Sequence, residues 1–286
     1  MKYRIFTKRQ LVARIFLYLI IFAMLVFTTL PLIYVVVTAF KPIDELLRFP
    51  PTFFVSRPTL NNFSDLVSTL SSSDVPFLRY IFNSLLTTII TVLLSVIICC
   101  MGAYGMVKHN VPFSKYLFLI IISALMFSPH VTQISNYMIV NSLGLVDTYF
   151  ALIIPKIAVA FNFFLIKQFV EQLPDTYLEA ARIDGANEVT IFLKIVIPYL
   201  KPAIATLTVF SFVNNWNDYF SPLVFITKQQ LKTLPLALQS IGDGGNVARA
   251  GAMAAATFLM TLPTIIVFSV MQRNVIQTMA HSGIKG

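Results

Sequence analysis

Six apolar runs, each long enough to cross a lipid bilayer, constrain the fold of this chain more than any other feature. A transmembrane helix needs about 20 mostly apolar residues. Only 12% of the residues are charged, whereas a soluble domain averages about 25%. The sequence therefore predicts an all-α, polytopic membrane protein with about six transmembrane helices. The runs lie at 11–40, 80–104, 116–140, 149–169, 200–226 and 252–271.

The distribution of basic residues predicts how these helices are oriented. If the N-terminus is cytoplasmic, most lysines and arginines fall on cytoplasmic segments, and the opposite topology inverts this bias. The positive-inside rule therefore favours two cytoplasmic termini. The predicted organisation is a cytoplasmic N-terminus (1–10), a transmembrane region (11–271) and a cytoplasmic tail (272–286). The segments 41–79 and 227–251 become extracytoplasmic, and the first is expected to contain short helices.

Charge and motifs also exclude several function classes. The net charge is +9, but basic excess in a membrane protein usually faces anionic lipid, so membrane lipid rather than nucleic acid is the expected partner. The adjacent Cys99 and Cys100 lie inside an apolar run, without the spacing of a disulfide or a metal site. The sequence has no zinc-protease motif, nucleophile elbow or Walker A string. We therefore expect no catalytic residue, no metal and no cofactor on this chain.

The predicted cytoplasmic segment 171–202 is a polar stretch between two apolar runs. Asp175 is expected to cap a first short helix, and Gly185 can end it in a left-handed conformation. A second, amphipathic helix is predicted for 187–196, ending before Pro198. One face of the first helix is expected to hold Tyr177, Ala180 and Ala181. One face of the second is expected to hold Val189, Phe192 and Val196.

This segment resembles the EAA loop of ABC importer permeases. The resemblance rests on Glu179-Ala180-Ala181, then Gly185-Ala186, then Pro198 and Pro202. In that family the loop docks into the ATP-hydrolysing subunit, and Glu179 would offer its carboxylate to an arginine. An amphipathic loop lying on lipid headgroups is the alternative. The resemblance implies an ATPase-coupling site at Glu179, Ala180, Ala181, Asp184, Gly185 and Ala186.

Further segments resemble the carbohydrate branch of that family, of the maltose-transporter type. They are 79–84, 216–218, 232–235 and the C-terminal 272–286. The resemblance implies a second homologous permease, two ATPase subunits that bind ATP-Mg, an external solute-binding protein and a sugar or oligosaccharide as solute. It also implies the bacterial cytoplasmic membrane and a C-terminal tail that reaches between the ATPase subunits. The implied tail residues are Ser282, Gly283, Lys285 and Gly286.

Polar residues inside the apolar runs suggest a substrate pathway. An ionisable residue costs about 2.5–3.5 kcal/mol at the centre of a transmembrane helix, so it usually marks function. Lys156 could pair with a carboxylate, contact substrate or snorkel outward, whereas Asn162 is expected to bond a neighbouring helix. Asn214 and Asp218 are four residues apart and are predicted to share one helical face, with Trp216 pointing elsewhere. The candidate pathway residues are Asn214, Trp216, Asp218 and Lys156.

Alternatives exist for the pathway, for the transported solute and for the class of transporter. The polar and aromatic cluster around Trp216 could instead be an interfacial aromatic belt, and in the maltose-type system the other permease makes most substrate contacts. The solute could be a non-sugar such as glycerol-phosphate. An ion-coupled secondary transporter is less favoured, because nearly all acidic residues lie in predicted loops.

Overall fold

The computed structural model describes residues 8–71, 75–109, 111–242 and 249–283. All regular structure within these residues is helical, which confirms the predicted all-α class. The predicted extracytoplasmic segment 41–79 contains two short helices, as expected. The helices are α1 (Lys8–Ala39), α2 (Ile43–Leu46), α3 (Asn61–Ser71), α4 (Phe77–Lys108), α5 (Ser114–Ala124), α6 (Pro129–Ser142), α7 (Tyr149–Ile153), α8 (Ala160–Glu171), α9 (Asp175–Ile183), α10 (Glu188–Ile191), α11 (Ile197–Tyr199), α12 (Lys201–Trp216), α13 (Phe220–Phe225), α14 (Leu234–Gly242) and α15 (Ala250–Gly283).

Three described helices are long and apolar enough to cross a membrane. They are Val12–Ala39 within α1, Phe77–Lys108 and Ala250–Ile276 within α15. Two further candidates are bent pairs, α7 with α8 at 43° and the segment Glu188–Tyr199 with α12 at 75°. Counting each bent pair as one span gives up to five spans in the described chain. The polytopic architecture is therefore confirmed.

The predicted third span, 116–140, is not one continuous helix. It consists of α5 and α6, and the chain leaves the helical path between them. Ser128 adopts an extended conformation, with ψ of 137°, because a following proline disfavours the helical conformation. The 11 residues of α5 span only about 16 Å at 1.5 Å per residue. A total of six spans thus stays a prediction.

The fifth predicted helix is interrupted, and the last one extends beyond its predicted span. The fifth run does not stay helical to residue 226, because α12 ends at Trp216 and α13 begins at Phe220. At the other end of the transmembrane region, α15 continues past residue 271 to Gly283. The first part of the predicted tail is therefore a continuation of the last helix.

The described residues form two compact units. The first unit comprises the described residues 8–69, 241–242 and 249–259. Here the buried amide of Asn62 donates hydrogen bonds to the carbonyl oxygens of Ala39 at 2.9 Å and Lys41 at 2.7 Å. It thereby satisfies backbone acceptors that the end of α1 leaves free. The rings of Phe40, Phe63 and Phe258 contact one another beside it.

The second unit comprises the described residues within 70–240 and 260–283, and α4, α8 and α12 pack together in it. The buried Asn162 of α8 joins all three helices. Its amide nitrogen donates to Ser95 Oγ of α4 at 3.1 Å and to Ser211 Oγ of α12 at 2.8 Å. The predicted helix–helix hydrogen bond of Asn162 is therefore confirmed.

Candidate functional site

A polar cavity of about 590 Å³ lies at the breaks in two of the predicted spans, beside a helix of a third. Its walls come from α6, from the break between α7 and α8, and from the break between α12 and α13. Non-helical backbone at membrane depth is tolerated where it lines a cavity, because water or a solute can then satisfy its polar groups. The lining residues are Thr132, Gln133, Asn136, Pro155, Lys156, Val159, Phe161, Asn162, Ser211, Asn214, Asn215, Asn217, Asp218, Tyr219, Phe220, Ser221, Val224 and Phe225.

An ion pair between Lys156 and Asp218 crosses one wall of this cavity. The Lys156 side chain is 24% exposed and that of Asp218 is 17% exposed. The second carboxylate oxygen of Asp218 accepts hydrogen bonds from the backbone N–H groups of Phe220 and Ser221, both at 3.1 Å. Of the three alternatives for Lys156, the structure therefore shows pairing with a carboxylate.

The predicted helical face shared by Asn214 and Asp218 is wrong. Asn217 already lies outside α12 as its C-terminal cap, so Asp218 belongs to the break that follows. The break brings Asp218 next to the first N–H groups of α13, where a carboxylate is favoured. Both Asn214 and Asp218 nevertheless line the same cavity.

Trp216 does not line the cavity. Its side chain is buried, and its indole Nε1 donates a hydrogen bond to the carbonyl oxygen of Met260 at 2.9 Å. Its ring is stacked on Phe212, with centroids 5.9 Å apart and planes at 10°. The structure thus gives Trp216 the contacts of a packing residue that attaches α12 to α15.

Sequence reasoning missed the contribution of α6 to the cavity. Thr132, Gln133 and Asn136 of this helix face it. A recognisable signal was present, because polar residues at positions i, i+1 and i+4 of an apolar run share a helical face. The side chains of Asn136 and Asn214 are exposed and have no hydrogen bond to another described residue. Two free amides therefore border the cavity from different helices.

The cytoplasmic loop forms a separate site. Gly185 ends the first helix with φ of 80°, so the predicted left-handed turn is confirmed. Glu179 is exposed and has no ion pair or hydrogen bond with another described residue. Asp175 is not the predicted cap, because it is the first residue of α9 and its carboxylate accepts from Lys108 Nζ at 2.8 Å. Glu179 is therefore available for a partner, whereas Asp175 ties the loop to α4.

The second loop helix differs from its prediction in length and in face. It begins as predicted, with the Asn187 side chain accepting from the N–H of Thr190 at 2.8 Å. It then passes through a π-helical turn, Phe192–Val196, and continues through Pro198, which sits in the first turn of α11 where a proline is tolerated. Since a π-turn is wider than an α-turn, the buried face changes. Val189 is exposed, and the buried positions are Ile191, Val196 and Leu200.

A hydrogen-bond network that the sequence did not reveal joins both loop helices to the end of α4. The Glu188 carboxylate accepts from Arg182 Nε at 2.9 Å and from the Tyr104 hydroxyl at 2.8 Å. His109 Nε2 lies 3.6 Å from the same carboxylate. The hydrogen bonds from the Arg182 guanidinium, and secondarily from Tyr104, lower the pKa of Glu188 below its ordinary value.

The loop has an inner face that packs and an outer face that does not. Leu178, Ala181 and Ala186 contact the core formed by the cytoplasmic ends of α4, α8 and α12. This separates Ala181 from Tyr177 and Ala180, which were predicted to share its face but are exposed. Four large apolar side chains of the loop are more than half exposed, and together we call them the outer loop patch. They are Tyr177 (59%), Ile183 (86%), Val189 (66%) and Leu193 (57%).

Three further predicted residues lie within the described chain. Asp184 follows α9 and is exposed. Ser282 and Gly283 are the last residues of α15. Lys285 and Gly286 lie outside the described residues.

Comparison with known proteins relates this chain to membrane transport systems. The family model described as "Binding-protein-dependent transport system inner membrane component" matches residues 97–281, which contain both the cavity lining and the cytoplasmic loop. Protein LplC of Bacillus subtilis is 31% identical over 277 residues, covering 91% of this chain and 90% of LplC. The arabinooligosaccharides transport system permease protein AraQ of Halalkalibacterium halodurans is 29% identical, covering 90% of this chain and 91% of AraQ.

Solved structures share the fold. A bacterial ABC transporter involved in the import of the acidic polysaccharide alginate superposes with a TM-score of 0.81 at 22% identity, covering 95% of this chain and 99% of that chain. The match extends over nearly the whole length of both chains, so the two chains share one fold. The chain therefore belongs to the family of inner membrane components of binding-protein-dependent transport systems, and it is a multi-pass permease subunit of the cytoplasmic membrane rather than an enzyme.

Proposed function

We propose that this chain is the membrane-spanning subunit of an ATP-driven importer that moves a sugar or oligosaccharide across the cytoplasmic membrane. It receives the solute from an external solute-binding protein and releases it inward by alternating access. The observation that carries the proposal is the amide-rich cavity at the breaks in two of the predicted spans. The names of relatives such as AraQ, an arabinooligosaccharide permease, support a carbohydrate as solute.

The chemistry of the cavity suits a polyhydroxylated solute. Each amide side chain both donates and accepts hydrogen bonds, as a sugar hydroxyl does, and the lining includes one glutamine and five asparagines. Phe161, Tyr219 and Phe220 add aromatic surface for the apolar faces of sugar rings. The volume of about 590 Å³ falls in the range of about 300–1,000 Å³ that is typical of small-molecule sites. Asn214, Asp218 and Lys156 then form part of the translocation path.

The cytoplasmic loop is the proposed docking surface for an ATPase subunit. The outer loop patch gives apolar contact area, and the adjacent Glu179 offers an unpaired carboxylate to a basic residue of the partner. In this assembly a second homologous permease completes the membrane part, and ATP-Mg binds to two ATPase subunits rather than to this chain. The tail residues from Ser282 onward approach the ATPase subunits.

Reversing the charge of Glu179 tests the docking. Glu179→Arg should abolish uptake and substrate-stimulated ATP hydrolysis, because the side chain would repel a basic partner, while membrane insertion stays normal. Asp65→Arg is the matched control, since Asp65 is also an exposed helical acid but lies on α3, in the predicted extracytoplasmic segment. Purified complexes of Glu179→Arg with normal substrate-stimulated ATPase activity would contradict the docking role.

Thiol labelling tests the path. Asn214→Cys and Asp218→Cys, each in a background without Cys99 and Cys100, are probed with a membrane-impermeant thiol reagent. Reactivity should differ between the nucleotide-free and ATP-trapped states, because the cavity changes its accessible side. Equal labelling in both states, with intact transport, would remove these residues from the path.

A further inference from the structure

We infer that the cavity accepts uncharged saccharides and excludes uronic-acid and phosphorylated sugars, an inference that rests on the proposed carbohydrate transport. The names of relatives leave this question open. They include permeases for uncharged arabinooligosaccharides and lactose and one for the acidic polygalacturonan, and the similar solved structure handles acidic alginate. The charges on the cavity wall that this chain supplies favour the uncharged class.

The lining of the cavity is electrically balanced. Lys156 is the cation and Asp218 the anion among its lining residues, and they neutralise each other. All other lining side chains are neutral amides, hydroxyls, aromatic rings or aliphatic groups. A carboxylate or phosphate entering the cavity would therefore find, among the described lining residues of this chain, no cation that is not already paired.

Lys156 cannot easily be released to serve an anionic solute. Asp218 is held in place by the N–H groups of Phe220 and Ser221 at the start of α13, so its carboxylate does not simply turn away. A solute anion that approaches Lys156 therefore also approaches Asp218, whose like charge repels it. An anion that gives up hydration at this site gains no free counterion from the described lining residues of this chain, which is costly.

An uncharged saccharide meets none of these costs. Asn136 of α6 and Asn214 of α12 border the cavity with amides that have no hydrogen bond to another described residue. Sugar hydroxyls can bond to both amides and leave the ion pair intact. Two features therefore favour uncharged saccharides over anionic ones. The free amides form hydrogen bonds with sugar hydroxyls, and the Asp218 carboxylate repels an anionic sugar.

Binding measured directly on the assembled transporter, without the solute-binding protein, reports the selectivity of the cavity and not that of the solute-binding protein. The complete permease–ATPase complex in lipid nanodiscs is titrated with α-1,4-galactotriose and with α-1,4-trigalacturonate, which differ only in the oxidation of C6. Arabinotriose and lactose extend the uncharged set. Saturation-transfer NMR with competition yields the apparent affinities. At least one uncharged probe should bind on the order of tenfold more tightly than trigalacturonate.

A substitution that removes the charge of Asp218 connects the selectivity to the ion pair. Asp218→Asn keeps an oxygen that can accept from Phe220 and Ser221, but it frees Lys156. Trigalacturonate should then bind about tenfold more tightly than to the parent complex, with a smaller change for the uncharged probes. Lys156→Gln should weaken trigalacturonate further, because it leaves Asp218 unpaired. Asp44→Asn is the control, since it removes an equal charge from an exposed ion pair with Arg57 that does not line the cavity.

The inference is overturned if trigalacturonate binds the parent complex as tightly as the uncharged probes do. It is also overturned if Asp218→Asn leaves trigalacturonate binding unchanged, or if no uncharged saccharide binds while cells with the complete transporter still import one. A separate uptake screen in those cells distinguishes failure of the proposed function. If the cells import saccharides of neither class, the carbohydrate function itself is wrong, and the charge selectivity falls with it.

Discussion

The hydrogen bonds of Asn162 allow a quantitative prediction about how the second unit is held together. Asn162→Ala removes a side chain that bonds α8 to both α4 and α12. All three side chains involved are buried, with Ser95 at 0%, Asn162 at 4% and Ser211 at 5% exposure. Asn162 and Ser211 also line the cavity, but so little of each is exposed that water can replace the lost bonds only in part, and the free energy of unfolding should fall.

The expected size follows from the number of bonds. Hydrogen bonds between membrane helices contribute about 0.6 kcal/mol on average and about 1.7 kcal/mol at most. Two bonds, at 3.1 Å to Ser95 and 2.8 Å to Ser211, thus predict a loss of about 1–3 kcal/mol. A double-mutant cycle with Ser211→Ala should show a coupling energy of at least about 0.6 kcal/mol.

Equilibrium unfolding in mixed micelles of dodecylmaltoside and SDS, followed by circular dichroism, measures this difference. Asn214→Ala is the matched control, because it makes the same substitution at an exposed asparagine without a hydrogen bond to another described residue. It should change stability by no more than about 0.5 kcal/mol. If Asn162→Ala is no more destabilising than Asn214→Ala, or if the cycle gives no coupling, the assigned role of Asn162 is refuted.

Two further predictions concern the cytoplasmic loop. Gly185→Ala should lower the free energy of unfolding by about 1–2 kcal/mol, because Gly185 has a positive φ. Gly105→Ala is the control and should not lower it, because Gly105 is helical and no atom lies within 4 Å of the new methyl group. Equal effects of the two substitutions in the same unfolding assay would contradict this prediction. The lowered pKa of Glu188 means that its bonds to Arg182 and Tyr104 stabilise the loop above the ordinary glutamate pKa, and that this contribution is lost as pH falls through the folded-state pKa. The effect is small because the Arg182–Glu188 pair is exposed. The melting temperatures of the parent and of Glu188→Gln should therefore differ slightly near pH 7 and converge in acid. A difference in melting temperature that does not change with pH would contradict this role of Glu188.

Much of this protein follows from local properties of its sequence. The apolar runs predict the membrane-spanning helices because a helix needs about 20 consecutive, mostly apolar residues to cross the hydrocarbon core of a bilayer. Gly185 predicts its turn because glycine adopts positive φ without a steric penalty. Asn162 predicts an interhelical bond because a polar side chain in an apolar run needs a partner. Each of these three predictions depends only on a residue, its neighbours in the sequence and the surrounding lipid or water.

The cavity and its chemistry were decided by the tertiary structure. Spacing alone placed Asp218 on the helical face of Asn214, but the break after Trp216 puts its carboxylate beside Lys156, 62 residues earlier in the chain. Trp216 looked like a pathway residue in the sequence, yet a carbonyl of α15 and the ring of Phe212 bury it. Ion pairing, burial and cavity shape depend on groups that are distant in sequence. No local pattern records which of them will meet, so only the packed chain determines them.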